Sequence, residues 1–122
     1  MTRADLIRET NALIAEGERL ARDPEFAGLR AWLKASDQLL AAAWGSMDRY
    51  HLAWLTVGRP STAPRGRRMT ADEEREYVRE VAAQKTAALR MSVKAAEDGM
   101  PFLGESAEGV AERAWRGANP RA

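Results

Sequence analysis

The spacing of apolar residues in the first part of the chain restricts it to helical architectures. From Leu6 onward, apolar or small side chains recur at intervals of four and three positions, the period that places them on one face of an α-helix. We therefore predict a helix over about residues 3–22. Glycine costs about 1 kcal/mol relative to alanine inside a helix, and a close helix crossing would explain Gly17. The stripe consists of Leu6, Thr10, Leu13, Gly17 and Leu20, widened by Ile7, Ile14 and Ala21.

A second helix is predicted to follow almost directly and to run to about Trp44. Asp23 is a residue type that caps free N–H groups, and Pro24 suits the first helical position. Because the join to the first helix is short, the two helices should form an antiparallel hairpin. The predicted core face comprises Phe26, Leu29, Leu33, Ser36, Leu40 and Ala43, with Trp32 and Leu39 on its flank.

A third, shorter helix is predicted over about residues 47–57. Gly45 suits the left-handed conformation that ends many helices, and Ser46 is a residue type that caps the next one. Gly58 is predicted to end this helix. Its packing residues are expected to be Tyr50, Trp54, Leu55 and Val57.

The longest helix is predicted over about residues 71–98. Thr70 and Glu73 have the spacing of a capping box, in which each side chain bonds to the other's backbone N–H. A last helix is predicted over residues 106–116, and residues 118–122 are predicted to fray. The long helix should bury Val78, Val81, Lys85, Leu89, Ser92 and Ala96. A connector of Met100, Phe102 and Leu103 should fold back onto the bundle, and the last helix carries Val110, Ala111, Ala114 and Trp115.

One segment interrupts this helical pattern. Residues 58–70 contain two prolines, two glycines and four arginines, a composition that excludes a stable helix. A loop of this length is either functional or disordered. The predicted fold class is therefore all-α: a four- to five-helix bundle that forms a single domain over residues 1–117, with a long Arg/Pro-rich loop between its third and fourth helices.

Composition excludes several classes of protein. A chain of 122 residues has the length of one domain. It contains no cysteine, which removes disulfides, thiol catalysis and thiolate metal sites. No stretch approaches the roughly 20 apolar residues of a membrane helix, and the N-terminus lacks the apolar core of a signal peptide. We therefore expect a cytoplasmic protein that does not contact membranes.

Residue types that carry catalysis are sparse. His51 is the only histidine, and it follows Asp48 by three positions, so that both side chains can share one helix face. Di-iron bundles require two Glu-x-x-His pairs, and no Gly-rich phosphate loop is present. We expect His51 to be partly exposed, and the protein to be a non-enzyme without metal, cofactor or small-molecule substrate. An enzyme built on His51, Tyr50 and nearby acids is the opposing hypothesis.

The loop carries the chain's local excess of positive charge. The net charge is only +1, but residues 45–70 hold five basic side chains and one acidic side chain. Such arginines can contact phosphates without reading base sequence, or they can contact a partner protein. In a third alternative, the arginines have no partner and only keep the connecting loop solvated. The candidate contact residues are Arg59, Arg65, Arg67 and Arg68.

A set of motifs over residues 10–57 is similar to a known group of modules. The motifs are Glu16-Gly17-Glu18-Arg19-Leu20, Phe26, Trp32-Leu33, Leu39-Leu40, Trp44-Gly45-Ser46, Tyr50 and Trp54. They resemble small helical modules beside or within bacterial antiviral-defence proteins, including abortive-infection proteins. The resemblance implies a role in assembly or partner contact, not in catalysis, and it does not extend to the Arg/Pro-rich loop.

Two functional hypotheses of different classes follow. The first is a non-enzymatic interaction or assembly module, acting through a protein partner or by self-assembly. Such a module would be a subunit of a prokaryotic antiviral-defence or phage anti-defence system. The second is a small subunit of a ribonucleoprotein complex of the CRISPR effector type, which would bind the nucleic-acid backbone through the loop arginines. Those small subunits are also short, helical and arginine-bearing, so this comparison is architectural.

Overall fold

The chain folds into a bundle of helices, and no strand occurs in the part of the chain that the structure describes. The computed structural model describes residues 1–60 and 64–105. Within these residues, four helices follow in order: α1 (Arg3–Arg22), α2 (Phe26–Trp44), α3 (Arg49–Thr56) and α4 (Ala71–Glu97). The predicted all-α class is confirmed. The helix predicted over residues 106–116 and the predicted tail at 118–122 lie outside the described residues.

Helix α1 packs along α4, and this pair forms the centre of the bundle. Four of the five stripe residues predicted for α1 are buried, and Leu13 is half-buried. The crossing is closest at Gly17, where an added Cβ would overlap the Thr86 hydroxyl and lie 2.7 Å from the Trp32 ring. The close crossing that would explain Gly17 is therefore present.

Helix α2 packs beside α1, and its buried face differs slightly from the prediction. Trp32 is buried and donates its indole Nε1–H to the carbonyl of Leu13 at 2.8 Å, whereas Leu33 is only half-buried. The two residues exchange the predicted core and flank positions because the large ring of Trp32 fills the space that Gly17 leaves open. Leu29, Ser36, Leu40 and Ala43 are buried as predicted.

The start of α2 was predicted too early. The backbone N–H of Asp23 donates to the carbonyl of Arg19 at 2.7 Å, so Asp23 ends α1 and does not cap α2. Pro24 lies in the connection, and Glu25 is the N-cap of α2, although its side chain makes no capping hydrogen bond. A residue whose backbone completes one helix does not have the extended conformation that the cap of the next requires.

Helix α4 has both the predicted start and the predicted core. The Thr70 hydroxyl accepts from the Glu73 N–H at 3.2 Å, and the Glu73 carboxylate accepts from the Thr70 N–H at 3.0 Å, which confirms the capping box. Gly99 follows the end of α4 with φ +82°. All six predicted core residues are buried: Val78, Val81, Lys85, Leu89, Ser92 and Ala96.

The cap of α4 should make stability depend on pH. Hydrogen bonds from Arg67 and from the Thr70 backbone lower the pKa of Glu73 from 4.5 to about 2. Because the folded pKa is the lower one, the contribution of Glu73 is present above pH 4.5 and is lost as pH falls toward about 2. In denaturation curves between pH 7 and pH 2, Glu73→Gln should lose stability mainly at the upper end. Glu80→Gln, on the same helix, is the control, and identical pH profiles for both variants would contradict this account.

Candidate interaction site

A groove opens where the end of α2, the start of α3 and the segment after α4 meet. It encloses about 950 Å³. Its base consists of the aromatic side chains of Trp44, Tyr50 and Phe102, and its rim carries Met47, Met100 and Leu103. We call this feature the aromatic groove.

The base of the aromatic groove is held in place by several contacts. The ring of Trp44 lies 4.7 Å from that of Tyr50 and 6.0 Å from that of Phe102, measured between centroids. The Trp44 indole N–H donates to the Ser92 hydroxyl at 2.8 Å, which ties the groove to α4. The Tyr50 hydroxyl donates to the Met100 sulfur at 3.4 Å. The surface is therefore built before any ligand arrives.

The lining of the groove combines exposed apolar side chains with the polar residues Ser46, Asp48 and Arg49. Five large apolar side chains are exposed among residues 1–60 and 64–105, and three of them line the aromatic groove. These three are Met47 at 60% exposure, Met100 at 36% and Leu103 at 77%. The predicted fold-back of the connector is therefore right for Phe102, which is buried, and wrong for Leu103. Leu103 points away from the core because Phe102 already fills the site against Trp44.

The α2–α3 turn forms one wall of the groove. Because of this turn, the third helix begins later than predicted. Gly45 has φ +102° and Met47 has φ +64°, so the chain bends twice through the left-handed region before α3 begins at Arg49. Asp48 accepts from the Arg49 N–H at 2.7 Å and caps α3 in place of the predicted Ser46. A non-glycine residue at positive φ costs of order 1 kcal/mol or more, so other contacts must hold this turn.

His51 supplies one of those contacts. Its Nδ1 accepts from the Met47 backbone N–H at 2.9 Å, and its Nε2 lies 2.6 Å from the Asp37 carboxylate. Because Nδ1 accepts, the ring proton resides on Nε2 and is donated to Asp37. His51 is only 5% exposed, so the prediction of a partly exposed histidine was wrong. Its acidic partner is Asp37 on α2, whereas Asp48, three positions before it, is the N-cap of α3.

Lys85 is a second buried polar side chain, and it contacts α3 from α4. Its ammonium donates to the Trp54 carbonyl at 2.6 Å and lies 4.0 Å from the centroid of the Trp54 ring. Burial, followed by the positive charge of Arg59, lowers the pKa of Lys85, and Asp37 opposes this shift. The helical period placed Lys85 on the core face, but nothing in the sequence indicated its partner. These contacts anchor α3 to α4.

The four candidate arginines lie apart from the aromatic groove, since none of them lines it. All four are exposed. Arg67 makes a two-pronged ion pair with Glu73, at 2.8 and 2.9 Å, whereas Arg59, Arg65 and Arg68 form no ion pair with the described residues. Arg67 thus supports the cap of α4. Sequence reasoning selected these four residues by charge and missed the aromatic groove, which has no charge signature.

Neither a metal cluster nor a membrane span is found in the described part of the chain. Over residues 1–60 and 64–105, no three His, Asp or Glu side chains are grouped as metal ligands. Over the same residues, no helix combines the length and the apolar composition needed to cross a membrane.

The described residues thus form a small all-α bundle with an exposed aromatic groove. No protein-family model matches the chain, and no curated protein or solved structure is significantly similar to it.

Proposed function

We propose that this chain is a non-enzymatic interaction module whose aromatic groove binds an apolar helix face of a partner protein. The observation that carries the proposal is the convergence of three exposed apolar side chains on a single groove with an aromatic base. Contiguous exposed apolar surface on a small protein is typical of a binding site. Apolar grooves of this kind take the i, i+3, i+4 side chains of amphipathic helices.

The chemistry of the rim favours a helix as the occupant. Methionine side chains are flexible and polarisable, so Met47 and Met100 can adapt to the side chains of a bound helix. A second copy of the chain fits less well, because a concave groove needs a convex apolar partner. Outside the groove, the described residues expose only Leu52 and Met91, which lie singly on α3 and α4. We therefore propose that the partner is a different protein.

The environment of His51 supports a non-enzymatic role. A general base needs a free ring nitrogen within hydrogen-bond reach of its substrate. Both nitrogens of His51 are already engaged, one by the Met47 N–H and one by Asp37, and the ring is buried. The Tyr50 hydroxyl is likewise engaged by Met100. These contacts favour a structural role over the opposing hypothesis of an enzyme.

The resemblance of residues 10–57 to antiviral-defence modules supports the same kind of role. Two of its motif residues, Trp44 and Tyr50, form the base of the aromatic groove. On this basis we place the module as a subunit of a prokaryotic antiviral-defence or phage anti-defence system. Its partner would then be another subunit of that system.

Purification from the native host tests the proposal. We expect a protein that co-purifies with the wild-type chain, and that then binds it as a purified pair in calorimetry. The double variant Met47→Glu/Leu103→Glu should weaken this binding at least about tenfold, because it buries unpaired carboxylates in an apolar contact. All four altered positions in the variant and its control are exposed, so both variants should fold.

The matched control is Leu52→Glu/Met91→Glu, which adds the same charges outside the groove. Equal binding by the groove variant and the control would remove the aromatic groove from the account. Light scattering on the purified chain tests whether a second copy of the chain binds in the groove instead. A dimer that the groove variant abolishes would mean that a second copy, not another protein, is the partner.

A second function is favoured by a separate observation, which is the set of exposed loop arginines. Arg59, Arg65 and Arg68 have no ion pair among the described residues and are free to contact phosphates. Because Arg67 is paired with Glu73, we expect three arginine–phosphate contacts and not four. Binding to nucleic acid should then show a log–log salt slope of about −2 to −3. Binding that is unchanged in the triple alanine variant would contradict this role, and Arg22→Ala/Arg30→Ala/Arg75→Ala is a charge-matched control.

A further inference from the structure

We infer that His51 is a proton-sensitive switch for the α2–α3 turn, so that acidification opens one wall of the aromatic groove. The inference rests on the proposed function, because it names how the shape of that groove is regulated. Two hydrogen bonds of a buried ring carry it, together with the unusual backbone conformation that one of them holds.

The ring can hold the turn only in its neutral form. In that form, Nδ1 has a free electron pair and accepts from the Met47 N–H at 2.9 Å. A second proton from solvent must bind at Nδ1, because Nε2 already carries the first and donates it to Asp37 at 2.6 Å. Nδ1 then becomes a donor that faces the Met47 N–H. Ring protonation and the closed turn therefore exclude each other.

The turn depends on this hydrogen bond because of its backbone. Within residues 1–60 and 64–105, Met47 is the one non-glycine residue at positive φ. Such a conformation costs free energy and persists only where surrounding contacts hold it. Once Nδ1 stops accepting, the Met47 N–H must find another acceptor, and the residue returns most readily to an ordinary backbone conformation.

Met47 places this change in the wall of the groove. Its side chain is 60% exposed and lines the groove beside Ser46 and Asp48 of the same turn. Met100 and Leu103 line the groove from the segment after α4, which does not belong to the turn. Opening the turn thus moves Met47 relative to the other two exposed apolar side chains.

Charged groups act on the ring from both helices that pack against α3. Asp37 contacts the ring and favours its positive form. Lys85 opposes that form, since its ammonium lies 4.0 Å from the centroid of the Trp54 ring, which stacks on His51. The charged groups on and around α3 are Asp37 of α2, Lys85 of α4, Arg59 of the loop, and Asp48 and Arg49 at the start of α3.

NMR on the full chain tests the switch directly, because His51 is the only histidine. Histidine changes its charge between about pH 8 and pH 5, which is the range to be covered. As the ring gains its proton, the protection factor of the Met47 amide in hydrogen exchange should fall at least about tenfold. One linked proton changes an equilibrium constant by up to about tenfold per pH unit.

The methionine methyl groups report on the groove wall in the same samples. The Met47 ε-methyl signal should shift with the same midpoint as the His51 ring. Met91 is the control, because it is exposed to a similar degree on α4 outside the groove, and its signal should not follow the ring.

Two variants should move the midpoint of the ring to lower pH. Met47→Gly favours the closed turn, because glycine adopts positive φ readily, and so it opposes protonation. Asp37→Asn removes the carboxylate that stabilises the charged ring. Glu9→Gln, at an exposed position on α1, is the control and should leave the midpoint unchanged. His51→Asn retains an acceptor that does not titrate, so its Met47 amide should stay protected throughout.

The outcomes separate this inference from the proposed function. A ring that stays neutral down to pH 5, or a Met47 amide that stays protected while the ring is charged, would overturn the switch. So would a simultaneous loss of protection in α4, because acid would then unfold the whole bundle. If the switch fails but Met47→Glu/Leu103→Glu still loses the partner at neutral pH, the proposed function stands. If that variant binds the partner normally, the proposed function fails whatever the turn does.

Discussion

Replacing Gly17 with alanine should destabilise the bundle by about 1 to 3 kcal/mol, although alanine is the better helix former by about 1 kcal/mol. The added methyl group would overlap the Thr86 hydroxyl and press on the Trp32 ring. Both neighbours are buried, so neither can move away without disturbing the α1–α4 contact. Urea denaturation of the wild type and the variant would measure the difference.

Gly28→Ala is the matched control for this experiment. A Cβ on Gly28 would meet the Glu25 carboxylate oxygen at 2.5 Å and a Leu20 methyl group at 3.1 Å. The first is the end of an exposed, flexible side chain, and only the buried Leu20 must shift slightly. The gain in helix propensity offsets that shift, so the loss should be much smaller than at Gly17. The double variant Gly17→Ala/Thr86→Ala should recover part of the loss, because it removes the overlap with the Thr86 hydroxyl. The recovery should be incomplete, because Trp32 remains in contact. Equal stability changes for Gly17→Ala and Gly28→Ala would disprove the tight crossing.

Removing the ring of His51 should cost about 2 to 4 kcal/mol. The His51→Ala variant loses the hydrogen bond to the charged Asp37, worth about 1.5 to 3 kcal/mol, and leaves the Met47 N–H without its acceptor, which costs further. It also releases a residue at positive φ. Denaturation gives the magnitude, and hydrogen exchange at the Met47 amide should accelerate strongly.

Two partial replacements separate the roles of the two ring nitrogens. Asparagine can place an acceptor near the position of Nδ1, and glutamine can place a donor near that of Nε2. His51→Asn should therefore preserve slow exchange at the Met47 amide, whereas His51→Gln should not. Leu52→Ala, at an exposed neighbour on α3, controls for the change in helix propensity. If His51→Ala were no more destabilising than Leu52→Ala, the ring would not hold the turn.

Local signals predicted the longest parts of the fold well. The bounds of α1 followed from its apolar period, and the start of α4 followed from Thr70 and Glu73, whose contact depends only on the local backbone. The six core residues of α4 followed from the helical period. Such features are determined by neighbours three or four positions away, so the sequence displays them directly.

Features that depend on distant contacts could not be predicted in this way. Ser46 and Asp48 are both good caps, and His51 selects between them by binding the Met47 N–H and Asp37, which lies fourteen positions before it. Trp32 and Leu33 are adjacent on α2. The one that faces the core depends on the space that Gly17 leaves on α1.

The candidate site is the clearest case of this limit. Tyr50 and Met100 are fifty positions apart in sequence, yet they line the same groove and share a hydrogen bond. Leu103 belongs to an apolar run that predicts burial, and only the position of Phe102 against Trp44 leaves it exposed. Charge patterning directed attention to the loop arginines, while the aromatic groove depends on the tertiary fold.

The pairing of α1 with α4 also sets an order of events on the ribosome. The buried face of α1 meets α4, and Arg3 donates to the carbonyls of Ala96 and Met100 at 2.8 and 3.0 Å. At translation rates of about 5 to 20 residues per second, roughly 4 to 15 s separate the synthesis of the ends of these two helices. During that interval the nascent first helix has only α2 to cover its apolar stripe. Helix α1 is thus made before α4 but reaches its final packing only after α4 has been synthesised.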